Sequence, residues 1–165
     1  MRVGVTGHQR LEDPEAWVWV SSVIDEELAK VPPPLVGVTS LAVGADQVFA
    51  QVLIRHRGAL EAIIPFPEYE ERFARGHDRN AYRRLLEQAV RSIVLPRVGS
   101  DEDSYYAAGR FVVDSTDLLL AVWDGAPAKG LGGTGDVVHY AEQAGKPVVR
   151  VDPIKRCVEI HRRSS

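Results

Sequence analysis

Asp117–Gly125 reads DLLLAVWDG, and Lys129–Ala141, close behind it, reads KGLGGTGDVVHYA. Leu118 to Val122 are apolar at every position. A strand with one wet face alternates apolar and polar residues, so an uninterrupted apolar run predicts a strand covered on both faces, as in a parallel sheet between helices. The glycines that follow lead into an amphipathic segment, Gly135–Gly145, which reads as a helix. Working outward, the same pairing of a short β-branched run with an amphipathic stretch recurs. RVGVTG (Arg2–Gly7) precedes Glu15–Lys30, LVGVTS (Leu35–Ser40) precedes Gly44–Arg57, and LEAIIPF (Leu60–Phe66) precedes Tyr69–Val90. SIVLP (Ser92–Pro96) precedes Asp103–Ser115, PVVRV (Pro147–Val151) follows the last helix, and CVEIH (Cys157–His161) predicts an added edge strand. Strands alternating with helices define an α/β fold, a doubly wound and mostly parallel sheet with helices on both faces.

The helical stripes agree. Ala45, Val48, Phe49, Val52 and Leu53 share one face of the second helix, with Gln47, Gln51 and Arg55 elsewhere, and Tyr82, Leu85, Leu86 and Ala89 do the same further on. These positions read as core. VPPPL (Val31–Leu35) predicts a stiff connection, and Pro96–Ser104 and Asp124–Gly133 predict long loops.

The chain of 165 residues predicts one domain spanning 1–165, burying roughly 70% of its unfolded surface. Its 20 Lys and Arg against 23 Asp and Glu give a net charge of −3, which supplies no general attraction for nucleic acid or an acidic membrane. A single cysteine, Cys157, excludes an intrachain disulfide and any all-cysteine metal site. No apolar stretch approaches the ~20 residues that span a bilayer, and no basic segment leads an apolar run at the start. A cytoplasmic protein without a membrane partner and without a metal is the expectation.

In an open parallel sheet, ligands bind outside the carboxyl ends of the strands. The loops there carry the candidate residues. After the first strand, Thr6, Gly7 and His8, followed by Arg10, combine a close backbone approach with donors for a phosphate or carboxylate, or form a plain tight turn. After the second, TSLAVGAD places Ser40, Gly44 and Asp46 at a helix start, where free N–H groups attract an anion or Ser40 and Asp46 simply cap the helix. Arg110, the only basic residue of DSYYAAGRFVVDSTD, can pair a phosphate bidentately or bridge to Asp114. After the fifth strand, Gly132, Gly133 and Gly135 free the turn and Thr134 is the expected N-cap. Asp136 acts against a phosphate: at about 5 Å and an effective dielectric near 20, the repulsion is about 3 kcal/mol per phosphate charge. It fits a ribose hydroxyl better. Trp123 and Tyr106 offer rings to a base, or serve as core.

These four loops resemble the SLOG superfamily of Rossmann-like proteins, which includes the DNA processing protein A family and the Lonely Guy phosphoribohydrolases, and the similarity runs from VGVTGHQR to AGKPVVRV. The SGLAxGID helix start and the following GGxTIAVL strand of the DNA processing family resemble TSLAVGADQVFAQVLIRHRGALEAIIPF. Its RNRIIAGLSDAVLVVEA segment resembles AGRFVVDSTDLLLAVWD, which sets Arg110 on the second arginine of that family's pair. The first arginine has no counterpart, so nucleic acid is not an expected partner. The Lonely Guy motif P-G-G-x-G-T-x-x-E resembles LGGTGDVVH, retaining Gly132, Gly133 and Gly135, with Leu131, Asp136 and His139 in place of the proline, threonine and glutamate. The resemblance implies a nucleotide or NAD/ADP-ribose-type ligand, no other required cofactor, and a homodimer or tetramer, to which the Tyr105, Tyr106, Phe111 and Val112 cluster could contribute. It also implies two functions. One is a sensor or binding module. The other is an enzyme splitting nucleoside monophosphates, with Asp136 and His139 as its catalytic candidates. A glutamate beside the ribose would stabilise the positive charge of glycosidic cleavage, and a neutral His139 supplies no such charge. The binding module is therefore the favoured expectation.

Overall fold

The computed structural model describes residues 1–127 and 131–161. Seven strands form one sheet: β1 (Arg2–Gly7), β2 (Val36–Thr39), β3 (Ala59–Ile64), β4 (Arg91–Val94), β5 (Leu118–Val122), β6 (Val148–Asp152) and β7 (Cys157–His161). The helices are α1 (Ala16–Ala29), α2 (Ala45–Arg55), α3 (His77–Gln88), α4 (Asp101–Asp114) and α5 (Thr134–Gln143), with a short 3-10 turn at Tyr69–Arg72. The strand order is β4-β3-β2-β1-β5-β6-β7. All neighbours run parallel except β7, which pairs antiparallel with β6. This is the doubly wound α/β architecture expected from the alternating pattern.

Strand alternation sorts the core into two layers. Val3 and Val5 of β1, Leu60, Ala62 and Ile64 of β3, and Leu120 and Val122 of β5 point toward α1, α2 and α3 with Phe49 and Leu53. Ile63, Leu119 and Ala121 point the other way, under Ala108, Val112 and Val113 of α4 and Val137, Val138 and Ala141 of α5. The sheet is thus apolar on both faces, which accounts for the unbroken Leu118–Val122 run. Gly4 marks where α4 crosses β1: a Cβ there would stand 2.8 Å from Val112 and 3.0 Å from Thr116 Oγ1. No helix among the described residues is long and apolar enough to cross a membrane.

Three local readings change. The Tyr69–Val90 stretch is split into the 3-10 turn and α3, because the chain leaves the helical path at Phe73, which is extended, and Gly76, at φ +90°, is the N-cap of α3. Gln47, placed off the core face by its spacing, is only 7% exposed and donates to the Leu41 carbonyl at 3.2 Å. That bond satisfies the carbonyl of a loop residue that itself stands at φ +58°. Part of the expected Pro96–Ser104 loop is drawn into α4, which begins at Asp101. There Ser100 accepts from the Asp103 N–H at 3.2 Å while Asp103 accepts from the Ser100 N–H at 2.9 Å, a reciprocal capping box. Ser100→Ala is expected to lower the melting temperature by about 2–4 °C, read by calorimetry; an unchanged transition would show that the cap contributes nothing. Part of the Asp124–Gly133 loop and the basic C-terminal residues lie outside the described residues.

The outer half of the sheet is tied together by Arg150 of β6. Its guanidinium donates to the Trp123 carbonyl at 3.2 Å, to Asp152 at 3.0 Å and to Glu159 of β7 at 3.1 Å. The same group lies 5.4 Å from the Trp123 ring centroid and packs under Gly125, where a Cβ would meet it at 2.6 Å.

Candidate functional site

Strand order reverses between β1 and β5, and outside their carboxyl ends lies a cavity of about 450 Å³. Its walls come from every loop the topology delivers there. The β1 loop brings Thr6, Gly7, His8 and Gln9; the β2 loop and α2 bring Ser40 and Asp46; the segment after β3 brings Pro65, Tyr69, Arg72 and Phe73. From the other half come Tyr105 and Gly109 of α4, Trp123 and Asp124 after β5, and Gly132 to Gly135 at the start of α5.

Close backbone contacts hold these loops. Gly7 stands where a Cβ would be 2.6 Å from the Ala45 Cβ and 2.7 Å from the Val122 Cβ, so β1, β5 and the start of α2 meet at one point. The His8 N–H donates to the Val122 carbonyl and the Ala45 N–H to the His8 carbonyl, both at 3.0 Å. The first N–H of α2 is therefore used within the chain. Gly44, at φ +89°, makes this possible, since a Cβ would press on the His8 carbonyl and lie 2.5 Å from that of Gln9. At the other helix start, Gly133 is the N-cap and no side chain caps α5, so the N–H groups of Thr134 and Gly135 have no intrahelical acceptor. Gly132, at φ +83°, packs against α4, where a Cβ would be 2.7 Å from the Glu102 carbonyl.

The polar groups are few and specifically held. Asp46 is 7% exposed, and one of its oxygens accepts from Thr39 Oγ1 at 2.8 Å and from the Ser40 N–H at 3.1 Å. Burial outweighs these bonds and pushes its carboxyl up to about 6. Tyr69 is shifted well upward, first by burial and then by nearby Asp46. Asp124 is held below the usual carboxylate range, chiefly by the Ala126 N–H at 2.9 Å and then by His8, whose Nε2 is 3.4 Å away. Aromatic rings build a wall: Tyr69 meets Phe73 edge-on at 5.0 Å and Tyr105 at 6.1 Å between centroids. The cavity thus offers backbone donors at α5, carboxylate acceptors at Asp46 and Asp124, and a broad apolar surface, a combination suited to a small polar ligand with an aromatic part.

Thr6, Gly7, His8, Ser40, Gly132, Gly133, Thr134 and Gly135 line this cavity, and Gly44, Arg110, Asp136 and His139 do not. Gly44 is beside the wall, serving the α2 approach. Thr134 is the first helical residue rather than the N-cap. Arg110 is exposed on α4, its guanidinium 4.8 Å from the Tyr140 ring centroid and 5.9 Å from that of Tyr106. The reason is helical phase: α4 turns Tyr105, Gly109 and Val112 toward the cavity, and Arg110 follows Tyr106 by one turn on another face. The alternative partner Asp114 accepts from Tyr140 Oη at 2.9 Å instead. Asp136 folds back to accept from the Gly132 N–H at 2.9 Å, and exposed His139 pairs with Gln143 at 2.9 Å. Neither lines the cavity. Trp123 does, but Tyr105 rather than Tyr106 is the ring of α4 that faces it, and the Tyr105, Tyr106, Phe111 and Val112 cluster is divided between cavity wall and core. The sequence reading passed over Tyr69, Arg72 and Phe73, which follow a strand end but sit in what reads as an amphipathic helix.

No protein-family model and no curated protein sequence matches the chain. Solved structures do. DNA processing protein A from Helicobacter pylori, described with a single-stranded DNA binding mode, superposes with a TM-score of 0.65 at 17% identity, over 92% of this chain and 65% of that one. DNA processing protein A from Streptococcus pneumoniae gives 0.64 at 17% identity, over 92% of this chain and 50% of that one. The structural-genomics target TM1055 gives 0.57 at 15% identity, over 89% and 71%. The chain thus shares the doubly wound, Rossmann-like α/β fold of these three proteins. The chain spans 65% and 50% of the two DNA processing proteins' lengths.

Proposed function

We propose that the chain is a cytoplasmic nucleotide-binding module, acting as a sensor or carrier of a nucleotide or an ADP-ribose-type molecule. The observation that carries this reading is the convergence in one cavity of uncapped α5 N–H groups, the Asp46 and Asp124 carboxylates and the Tyr69, Phe73 and Tyr105 wall. The first would hold phosphate, the second sugar hydroxyls, and the third a base. Asp136 accepts from the Gly132 N–H at 2.9 Å and stabilises the helix start, so its carboxylate is engaged in the loop and caps neither the Thr134 nor the Gly135 N–H.

Calorimetric titration with AMP, GMP, NAD and ADP-ribose tests the reading, supported by mass spectrometry of any molecule released on denaturing the purified protein. Saturable binding of at least one of these is the expected result; binding of none, with no co-purified nucleotide, would remove it. The same incubations test the alternative, phosphoribohydrolase activity. Because Asp136 and His139 lie off the cavity, no free base is expected to accumulate above the rate without protein. Release abolished in Asp136→Ala or His139→Ala would establish that activity.

A second reading rests on the Helicobacter protein of similar fold, described with a single-stranded DNA binding mode. It predicts a mobility shift of an oligonucleotide that weakens steeply with salt. Self-association, implied by the resemblance, is read directly by light scattering.

A further inference from the structure

Arg72 is the one arginine or lysine among the described residues that line the cavity. Its side chain is 41% exposed, and its Nε donates to Asp101 Oδ2 at 2.6 Å. Asp101 has a second cation: Arg97 Nη1 donates to its other oxygen, Oδ1, at 2.5 Å. Arg97 is itself anchored, 4.1 Å over the ring of fully buried Phe66 and 3.4 Å from Glu68. One carboxylate thus holds two guanidinium groups over the same Phe66 ring, Arg97 closer at 4.1 Å and Arg72 at 5.6 Å from its centroid, and of the two only Arg72 lines the cavity.

The arrangement sits where an anion would be received. Asp101 opens α4, and the next residue, Glu102, together with Tyr106, supports Gly132 of the α5 loop. Arg72 and the uncapped start of α5 therefore flank the same first turns of α4. Resting on the nucleotide reading above, we propose that Arg72 is the movable anion-binding arginine of this cavity, passing from Asp101 to the phosphate of an incoming nucleotide while Arg97 keeps Asp101 paired. The exchange suits the physical chemistry. An exposed ion pair opens at little cost, a phosphate offers the planar guanidinium two parallel acceptors, and Asp101 is not left alone when Arg72 departs. Arg110, held over Tyr140 outside the cavity, has no part in it.

Paired titrations of AMP with adenosine and of GMP with guanosine, by calorimetry, test the proposal on the full chain. Wild-type protein is expected to prefer the monophosphate. Arg72→Gln is expected to reduce that preference about ten- to a hundredfold while leaving nucleoside affinity unchanged. Arg110→Gln is expected to retain it, and Asp101→Asn, which removes the competing carboxylate, to strengthen monophosphate binding. A preference unaffected by Arg72→Gln, or abolished by Arg110→Gln, would overturn the proposal. So would equal binding of nucleoside and monophosphate by the wild type, an outcome that leaves the nucleotide reading standing, whereas binding of neither member of either pair would remove both.

Discussion

Gly44→Ala lowers stability by about 3–5 kcal/mol, shifting the melting temperature by about 10 °C, and a matched control separates the two causes. Gly44 and Gly76 have nearly the same backbone, φ 89° and ψ −123° against φ 90° and ψ −127°, and both are helix N-caps. A Cβ at Gly76 meets nothing within 4 Å, so Gly76→Ala reports backbone strain alone, about 1–3 kcal/mol. At Gly44 the same strain is joined by overlap with the carbonyls of His8 and Gln9, backbone atoms that yield only if the β1 loop moves. Because His8 and Gln9 line the cavity, the variant is also expected to weaken ligand binding, which Gly76→Ala leaves intact. Differential scanning calorimetry of both variants decides the matter. Equal shifts for the two would show that the loop accommodates the methyl group.

The second large effect is a pH dependence carried by Asp46. Its folded pKa, about 6, is above the ordinary carboxylate value of 3.8. Between these values the folded chain binds more protons than the unfolded one, so the slope of stability with pH is negative. Its contribution is full below about pH 4, is lost as pH rises toward about 6, and is flat above, for a total of about 3 kcal/mol. Other carboxylates act oppositely: Asp101, Glu61 and Asp124 are held below their ordinary values and lose stabilisation as pH falls. A difference measurement isolates Asp46. Asp46→Asn retains an oxygen for the Thr39 hydroxyl and the Ser40 N–H but cannot ionise. Its stability relative to wild type is expected to rise by about 3 kcal/mol from about pH 4 to about pH 7 in urea denaturation. A difference independent of pH would mean that the carboxyl ionises as freely in the folded chain as in the unfolded one.

The fold was legible because its strongest signals are local and repeated. Leu118–Val122 and its counterparts needed only the period of the pattern, and the ends of β1, β2, β3 and β5 then located loops at the cavity. Side-chain direction was less legible. Arg110 attracted attention as the lone basic residue on its segment, yet one position of helical phase, about 100°, separates it from Gly109, which faces the cavity. Asp136 and His139 matched a motif by spacing, but Asp136 turns to an N–H four residues earlier and His139 to a neighbouring glutamine. Arg72 was hidden for the opposite reason. The amphipathic pattern ran through it, but the chain leaves the helical path at Phe73, which is extended, so Arg72 ends a separate 3-10 turn before α3 starts at His77. Asp46 could be seen as a cap, but its pKa depends on packing around Thr39, Ser40 and Tyr69 that no spacing reveals.

The antiparallel strand β7 contributes no residue to the cavity, yet Arg150 gives it a mechanical share in the site. Glu159 of β7 and Asp152 of β6 brace the guanidinium from behind, and its front face supports the carbonyl and ring of Trp123. The border strand therefore works as a buttress, two strands removed, that fixes the position of one wall. Trimming β7, or replacing Glu159, is expected to loosen that wall without touching any residue that lines the cavity, so stiffness there is inherited from the edge of the sheet.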